Sequence, residues 1–351
     1  MTIQVAFLFP GQGSQTVGMG ADIYASSPAA KHVFDTADAA LGFPLSRLCF
    51  EGPEETLRET INTQPAIVTM SLALLAALQE ALSSSPVATP VSPISWSTPL
   101  SPVFVAGHSV GEYAALVAAG ALDLKDALLL VRERGRLMHH EGTVCASGMA
   151  AVIGMDEQDL QAVCQQATQE TMQELAASSQ GLVHPGQGKV AIANYNAPGQ
   201  IVISGEQQAL ARASDLAKER GAKRVIPLTV SGAFHSPVME PAAHGLAQAI
   251  RTTQVRDASI PVIGNISATP LTTVQAIRDE LEHQVAAPVQ WIRTIEFMAQ
   301  AGVTLFIEIG PGQALTGMVK RIVKGATTLS IANARELEKA VNIVRETGHG
   351  V

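Results

Sequence analysis

The sequence predicts an α/β protein with a large, mostly parallel sheet and a smaller inserted βαββαβ subdomain. Three observations carry that expectation. Short apolar runs alternate with helical segments along most of the 351 residues, a pattern that gives parallel strands covered by helices on both faces. The block 146–229 departs from it and reads strand, helix, strand, strand, helix, strand, which is a split-βαβ unit with its own small core. Gly107-His-Ser-Val-Gly111 lies between the apolar run Pro102-Val-Phe-Val-Ala106 and a helical segment. The expected boundaries are therefore 1–145 plus 230–351 for the large domain and 146–229 for the insert. A cleft between two such bodies is the expected substrate site.

The elements follow in order. Val5–Phe9 is a strand, and the N-terminus has no basic region of the kind that opens a signal peptide. Ser27-Pro28 starts a helix to about Leu41, with proline at its first position. Gln64–Leu82 is a long apolar helix. The Ser-, Pro- and Thr-rich stretch Ser83–Pro102 reads as a surface loop. Val103–Ala106 is a strand, a helix follows Ser109, and Asp123 caps another helix to about His140. The insert holds Met149–Ile153 (strand), Glu157–Thr168 (helix), Val190–Tyr195 and Gln200–Ser204 (strands), Glu206–Arg220 (helix) and Lys223–Thr229 (strand). A loose connection spans 168–188, with the Gly-rich part from about Ser178 to Gln187. After it come a strand at Pro261–Gly264, helices at Thr273–Val285 and Val289–Ala301, and a strand at Thr304–Ile309. A helix at Gly312–Val323, a strand at Thr328–Ile331 and a helix from about Ala334 close the chain.

Composition narrows the function. The chain is 47% hydrophobic and 15% charged, enough to bury a sizeable core, and its net charge of −8 argues against non-specific nucleic-acid binding. No apolar stretch long enough to span a bilayer stands clear of charges and helix breakers, so no membrane role is expected. Cys49, Cys145 and Cys164 have no metal-ligand spacing, and so low and odd a count fits a reducing, cytoplasmic setting. Arg132, Arg134 and Arg136, and likewise Lys320, Arg321 and Lys324, form basic clusters that read first as solvated helix faces.

G-x-S-x-G between a strand and a helix makes the large domain hydrolase-like, beside a ferredoxin-like insert. Such a turn leaves Ser109 exposed at a strained corner, and Gly107 and Gly111 let two backbone arms pass where a Cβ would clash. The Val110 amide then points from a helix N-terminus toward a developing oxyanion. A helix-capping serine would fit the same letters. A nucleophilic serine needs a base. His235, in a short loop after the last strand of the insert, falls at the rim of the expected cleft. His108 diverges from Ser109 across the turn, and His139 and His140 sit near a helix C-terminus. Arg134 shares the apolar face of its helix with Ala127, Val131 and Met138, whereas Arg132 and Arg136, about 200° away, face out. An inward arginine needs an anion, from a protein carboxylate or a ligand. Phe9-Pro-Gly-Gln-Gly-Ser-Gln15 lacks the lysine of a P-loop and the spacing of a dinucleotide fingerprint. It can instead offer the Gln12 amide to the cleft, as a second oxyanion donor beside Val110.

Together, the segments 9–15, Thr63-Gln-Pro-Ala66, Gly107-His-Ser-Val-Gly-Glu-Tyr113, Arg134-Gly-Arg-Leu-Met138, Asn194-Tyr-Asn-Ala-Pro-Gly-Gln200, Gly232-Ala-Phe-His-Ser236, Pro288-Val-Gln-Trp291 and Glu308-Ile-Gly-Pro-Gly312 resemble the discrete bacterial malonyl-CoA:acyl-carrier-protein transacylases over nearly the full length. The resemblance implies Ser109 as the acylated nucleophile, His235 as its base and the Gln284 main-chain carbonyl as what orients the imidazole. It implies Gln12 and Val110 as the oxyanion hole. Arg134 would hold the malonyl carboxylate, and Phe234, Gln64 and His108 would line the substrate site. It implies malonyl-CoA and a phosphopantetheinylated acyl carrier protein as partners, extender units for fatty-acid or polyketide synthesis as the product's use, and no metal or other cofactor. A monomer is the expectation, although the sequence itself leaves the oligomeric state open. The stretches 83–102 and 168–188 look longer than the family's, and His139 replaces a customary glutamine.

Two other readings compete. An acyl-thioesterase or other α/β-hydrolase shares G-x-S-x-G but needs an Asp or Glu and a late histidine, and His283 and His349 follow no strand well. A non-catalytic carrier-docking module would have no need of Ser109, His235 and Arg134 together.

Overall fold

The computed structural model describes residues 4–83, 100–177 and 184–348. The first part of the chain runs β1 (Val5–Phe9), α1 (Ala21–Ser26), α2 (Pro28–Leu41), α3 (Leu45–Glu51), α4 (Glu54–Arg58) and α5 (Thr60–Leu82). Next come β2 (Pro102–Gly107), α6 (Gly111–Ala118) and α7 (Leu124–Val144). The middle block is β3 (Ser147–Ile153), α8 (Glu157–Ala177), β4 (Val190–Ala197), β5 (Gln200–Glu206), α9 (Gln207–Glu219) and β6 (Arg224–Pro227). The chain continues with α10 (Glu240–Thr252), β7 (Val262–Ile263), β8 (Pro270–Leu271), α11 (Val274–His283) and α12 (Trp291–Gln300). It finishes with β9 (Leu305–Ile309), α13 (Ala314–Ile322), β10 (Thr327–Ile331) and α14 (Ala334–Gly348).

Two sheets result. The larger has the order β10-β9-β1-β2-β7-β8 and is parallel except for β8, which pairs antiparallel with β7. The smaller is antiparallel in the order β4-β5-β3-β6. It is built from the βαββαβ run that the sequence implied. Along β1 every residue is buried, with Val5, Phe7 and Phe9 in one apolar cluster and Ala6 and Leu8 in another. That is the expected state of a parallel strand covered on both faces. A third cluster lies under the smaller sheet. The bodies are stitched by Val289, whose N–H donates to the Ala193 carbonyl and whose carbonyl accepts the Tyr195 N–H.

Several elements differ from the sequence reading. α5 starts at Thr60, not Gln64. Pro65 has no N–H for the Ile61 carbonyl, and Arg132 Nη1 takes that carbonyl instead, at 2.8 Å. Arg132 is thus half-buried rather than outward, while Arg136 is exposed. α8 continues to Ala177, beyond Thr168, because Leu160, Val163, Cys164, Ala167 and Thr171 keep a buried helical face. The expected loop at 168–188 is therefore helical in its first half, and 178–183 lie outside the described residues. So do 84–99, most of the loop expected at Ser83–Pro102. α7 runs past His139 and His140 to Val144, and Asp123 starts it without a side-chain cap bond; both carboxylate oxygens of Asp123 are taken by Arg256. Ser27 does cap α2, accepting the Ala30 N–H. α1, α3, α4, α10 and β8 had no counterpart in the reading. α5 is long and apolar enough to cross a membrane, yet 78% of its most apolar window is buried in the protein, as in a core helix.

Candidate functional site

The site forms where β1 and β2 end. Register pairs Phe9 with Gly107, so the loop after β1 and the turn after β2 leave the sheet side by side. The turn is tight: a Cβ on Gly107 would lie 1.9 Å from the Gly111 carbonyl carbon, and one on Gly111 would lie 2.2 Å from the Phe9 carbonyl oxygen. Ser109 sits at its apex with φ 52°, a backbone region that L-residues adopt only under constraint. A cleft of about 450 Å³ opens above it, lined by the 10–15 loop, the elbow, Arg134, Met149, Asn194, Phe234 and α13.

His235 also has positive φ, 58°. Its Nε2 lies 2.7 Å from Ser109 Oγ. Its Nδ1 faces the main-chain carbonyls of Gln284, at 2.9 Å, and Ala287, at 3.1 Å. A carbonyl only accepts, so Nδ1 carries the proton and Nε2 presents its lone pair to the serine. Among the described residues no carboxylate takes that place, contrary to what an α/β-hydrolase triad needs. The ring is 3% exposed, on the cleft floor rather than its rim. The Val285 carbonyl, accepting the His235 N–H at 2.9 Å, draws the turn inward. Burial, then the neighbouring Arg134 charge, push its pKa down to about 3, so at neutral pH the imidazole is neutral, with its Nε2 lone pair unprotonated and facing the serine.

Arg134 projects from α7 into the same floor and is 1% exposed. Nη1 donates to Gln64 Oε1 at 2.8 Å. Nη2 donates to Ser109 Oγ at 3.1 Å and to Gln284 Oε1 at 2.9 Å. Its partners are neutral, Nε has no hydrogen-bond partner, and no carboxylate among the described residues lies within ion-pair distance. The buried ion pair that the sequence left open is not what the fold builds. A desolvated guanidinium beside the nucleophile and facing a cleft is suited to an anionic group.

The remaining predicted residues converge there. Gln12 and Val110 line the cleft, and no hydrogen bond from either main-chain amide to another described residue is found. The Gln12 side chain donates to Thr60 Oγ1 at 3.0 Å. Gln64 is buried and donates to Met138 Sδ at 3.3 Å. Phe234 is a buried wall. His108 turns away from Ser109 to Asn196 Oδ1 at 2.8 Å, edge-on to Trp291, and burial lowers its pKa. Gln284 contributes its side chain as well as its carbonyl. The sequence reading missed Ala287, Asn265 and Glu112. Only Glu112, a carboxylate in the apolar first turn after the elbow, carried a usable signal. Among the described residues no group of three or more His, Cys, Asp or Glu could hold a metal ion.

Comparison with known proteins gives a consistent picture. The acyl transferase domain family matches residues 6–342. The malonyl CoA-acyl carrier protein transacylase of Bacillus subtilis (strain 168) is 42% identical over 343 residues, 98% of each chain. That of Escherichia coli (strain K12) is 39% identical, covering 97% of this chain and 99% of its own. Among solved structures, a malonyl-transacylase in complex with its type II PKS acyl-carrier protein superposes with TM-score 0.84 at 36% identity, over 97% of this chain and 99% of that one. The acyl-carrier-protein S-malonyltransferase of Burkholderia pseudomallei 1710b gives 0.83 at 37%, over 97% and 100%.

Proposed function

The chain belongs to the acyl transferase domain family, and from that premise we propose that it moves a malonyl group from malonyl-CoA to the phosphopantetheine thiol of an acyl carrier protein. One observation carries the reading: a serine–histidine pair at 2.7 Å shares the cleft floor with a buried arginine that has no carboxylate partner among the described residues.

Ser109 Oγ attacks the malonyl thioester carbonyl while His235 Nε2 takes its proton. The tetrahedral oxyanion receives the Gln12 and Val110 amides. The C–S bond breaks, the CoA sulfur leaves with the proton from His235, and malonyl-Ser109 remains. The carrier thiol then gives its proton to His235 and attacks the ester. The serine oxygen leaves and is reprotonated. Arg134 holds the free carboxylate throughout, and Phe234, Gln64 and His108 shape the pocket around the acyl chain. The chemistry calls for no metal or redox group, since malonyl-CoA is a substrate. The three free cysteines are buried and fit the cytoplasm. The test is intact mass after mixing with malonyl-CoA: a malonyl adduct on Ser109 that holo carrier protein discharges is expected, and no adduct on Ser109→Ala. A label elsewhere, or undiminished transfer by that variant, overturns the reading.

A further inference from the structure

Outside the cleft, three fully or almost fully buried polar side chains meet behind the elbow: Glu112, Asn265 and Gln284. None of them lines the cleft, so none is placed to touch substrate. Their hydrogen bonds converge on the strained Ser109 backbone. Its N–H donates to Asn265 Oδ1 at 2.7 Å. Its carbonyl accepts Gln284 Nε2 at 3.0 Å, beside the Glu112 amide at 3.1 Å. Asn265 Nδ2 also donates to the Gly107 carbonyl at 2.7 Å, at the start of the same turn.

Both clamps end on one carboxylate. Glu112 Oε1 accepts the Asn265 main-chain N–H at 2.9 Å and Nδ2 at 2.7 Å. Glu112 Oε2 accepts Gln284 Nε2 at 2.5 Å. We propose that Glu112 is a positioning residue of the acyl transfer: its two oxygens fix Asn265 and Gln284, which grip the Ser109 main chain from opposite sides and keep Oγ aimed at His235. The proposal rests on the acyl-transfer reading above. Burial and then the Glu280 charge push the Glu112 pKa up, and the hydrogen bonds from Asn265 and Gln284 oppose that shift; three N–H donors against two acceptor oxygens suit the ionised carboxyl and not an amide, whose NH2 would oppose a donor whichever way it turned. A residue held in the left-handed region persists only where its surroundings over-determine it, and this cluster is what surrounds it. The Gln284 carbonyl also orients His235, so the same residue fixes both partners of the proton transfer.

The experiment compares wild type with Glu112→Gln and Asn265→Ala, each checked by thermal melting. Single-turnover acylation should slow by about 10- to 100-fold, since small misplacements of a reacting atom cost that much, with KM for malonyl-CoA nearly unchanged. Malonyl-CoA and acetyl-CoA should lose rate equally. Labelling of Ser109 by a fluorophosphonate should slow in parallel. Because that probe needs no malonyl group, it reads the serine's placement even if wild type proved not to use malonyl-CoA, which would sink the function but not the positioning. The double variant should be no worse than the poorer single one, as expected for one chain of contacts. Folded variants with wild-type rates, strictly additive losses, or a loss confined to malonyl-CoA (marking Glu112 as an electrostatic partner of Arg134) would each overturn the proposal. So would failure of both variants to fold, which would make the cluster a folding element.

Discussion

The two turns that carry the reactive side chains solve the same problem differently. Ser109 and His235 both have positive φ without being glycine. The serine turn is made by side chains, or by their absence: two glycines admit the crossing backbones, and Asn265 and Gln284 hold the apex. The histidine turn is closed locally by Ser236, whose Oγ donates to the Ala233 carbonyl at 2.6 Å, but it is anchored in the site by main-chain atoms of the Gln284–Ala287 segment: the Val285 carbonyl on its N–H, and the Gln284 and Ala287 carbonyls on its ring. A turn built on particular residue types leaves letters at fixed spacing. An anchor built on carbonyls leaves none, because every residue has one.

The largest effect should come from breaking the first turn. Gly107→Ala puts a methyl 1.9 Å from the Gly111 carbonyl carbon; the overpacking alone costs about 1–3 kcal/mol, and relief must open the elbow. Acylation should become undetectable. At the second turn, a Cβ on Gly232 meets nothing nearer than 3.4 Å, so Gly232→Ala should keep most activity. Equal tolerance at the two positions, read by melting temperature and acylation rate, would remove the distinction.

Next is the base itself. His235→Ala should lower transfer by about 10²–10⁴-fold. It also takes the ring donor from the half-buried Ala287 carbonyl and from the Gln284 carbonyl, which keeps the Ala287 N–H at 3.3 Å, so a modest stability loss of about 1 kcal/mol should show in the melt. His108→Ala, which frees Asn196 and one edge of Trp291 but touches neither Ser109 Oγ nor His235, should cost far less. Were it the more damaging change to chemistry, the base would be misassigned.

These contrasts explain what the sequence disclosed. The alternation of strands and helices, the βαββαβ block, the glycines at 107 and 111 and the inward face of Arg134 were all legible, because each depends on residue type at a set spacing. The resemblance supplied the Gln284 carbonyl; composition and spacing could not, since a carbonyl has no signature. The burial of His235 was missed because a pattern places a loop but not its depth. The sequence ends α8 at Thr168 because the later turns are polar apart from one narrow face. The Glu112–Asn265–Gln284 cluster joins residues 153 and 172 positions apart, a distance only the fold closes.

Arg134→Ala tests the floor shared by the two turns. A malonyl carboxylate would enter without its partner, losing about 2–5 kcal/mol, whereas acetyl-CoA carries no such charge. Malonyl transfer should collapse and acetyl transfer fall much less, so the preference inverts. Some stability goes too, since Gln64 and Gln284 lose a donor. Parallel loss of both substrates would instead assign the arginine a purely structural role.

The smallest effect is in pH dependence. Burial and then the Arg134 charge hold the His235 pKa at about 3, against an ordinary 6.5. The working form is the neutral ring, so activity is lost only as pH falls through the folded value. Between pH 7 and 5, kcat/KM should therefore change by less than about twofold, because that ratio reports the free enzyme. A malonyl carboxylate on Arg134 cancels part of the repulsion, so the pKa rises in the complex and the acid limb of kcat should lie at higher pH than that of kcat/KM. Removing the charge in Arg134→Ala should move the kcat/KM limb the same way, but not to 6.5, since burial remains the larger cause. The fold follows the same sign: below about 6.5 the unfolded chain binds a proton that the native ring refuses, so stability drops as pH falls. A wild-type kcat/KM limb near 6.5 would mean that water reaches the ring, and with it that the carbonyl-held turn is looser than the glycine-made one.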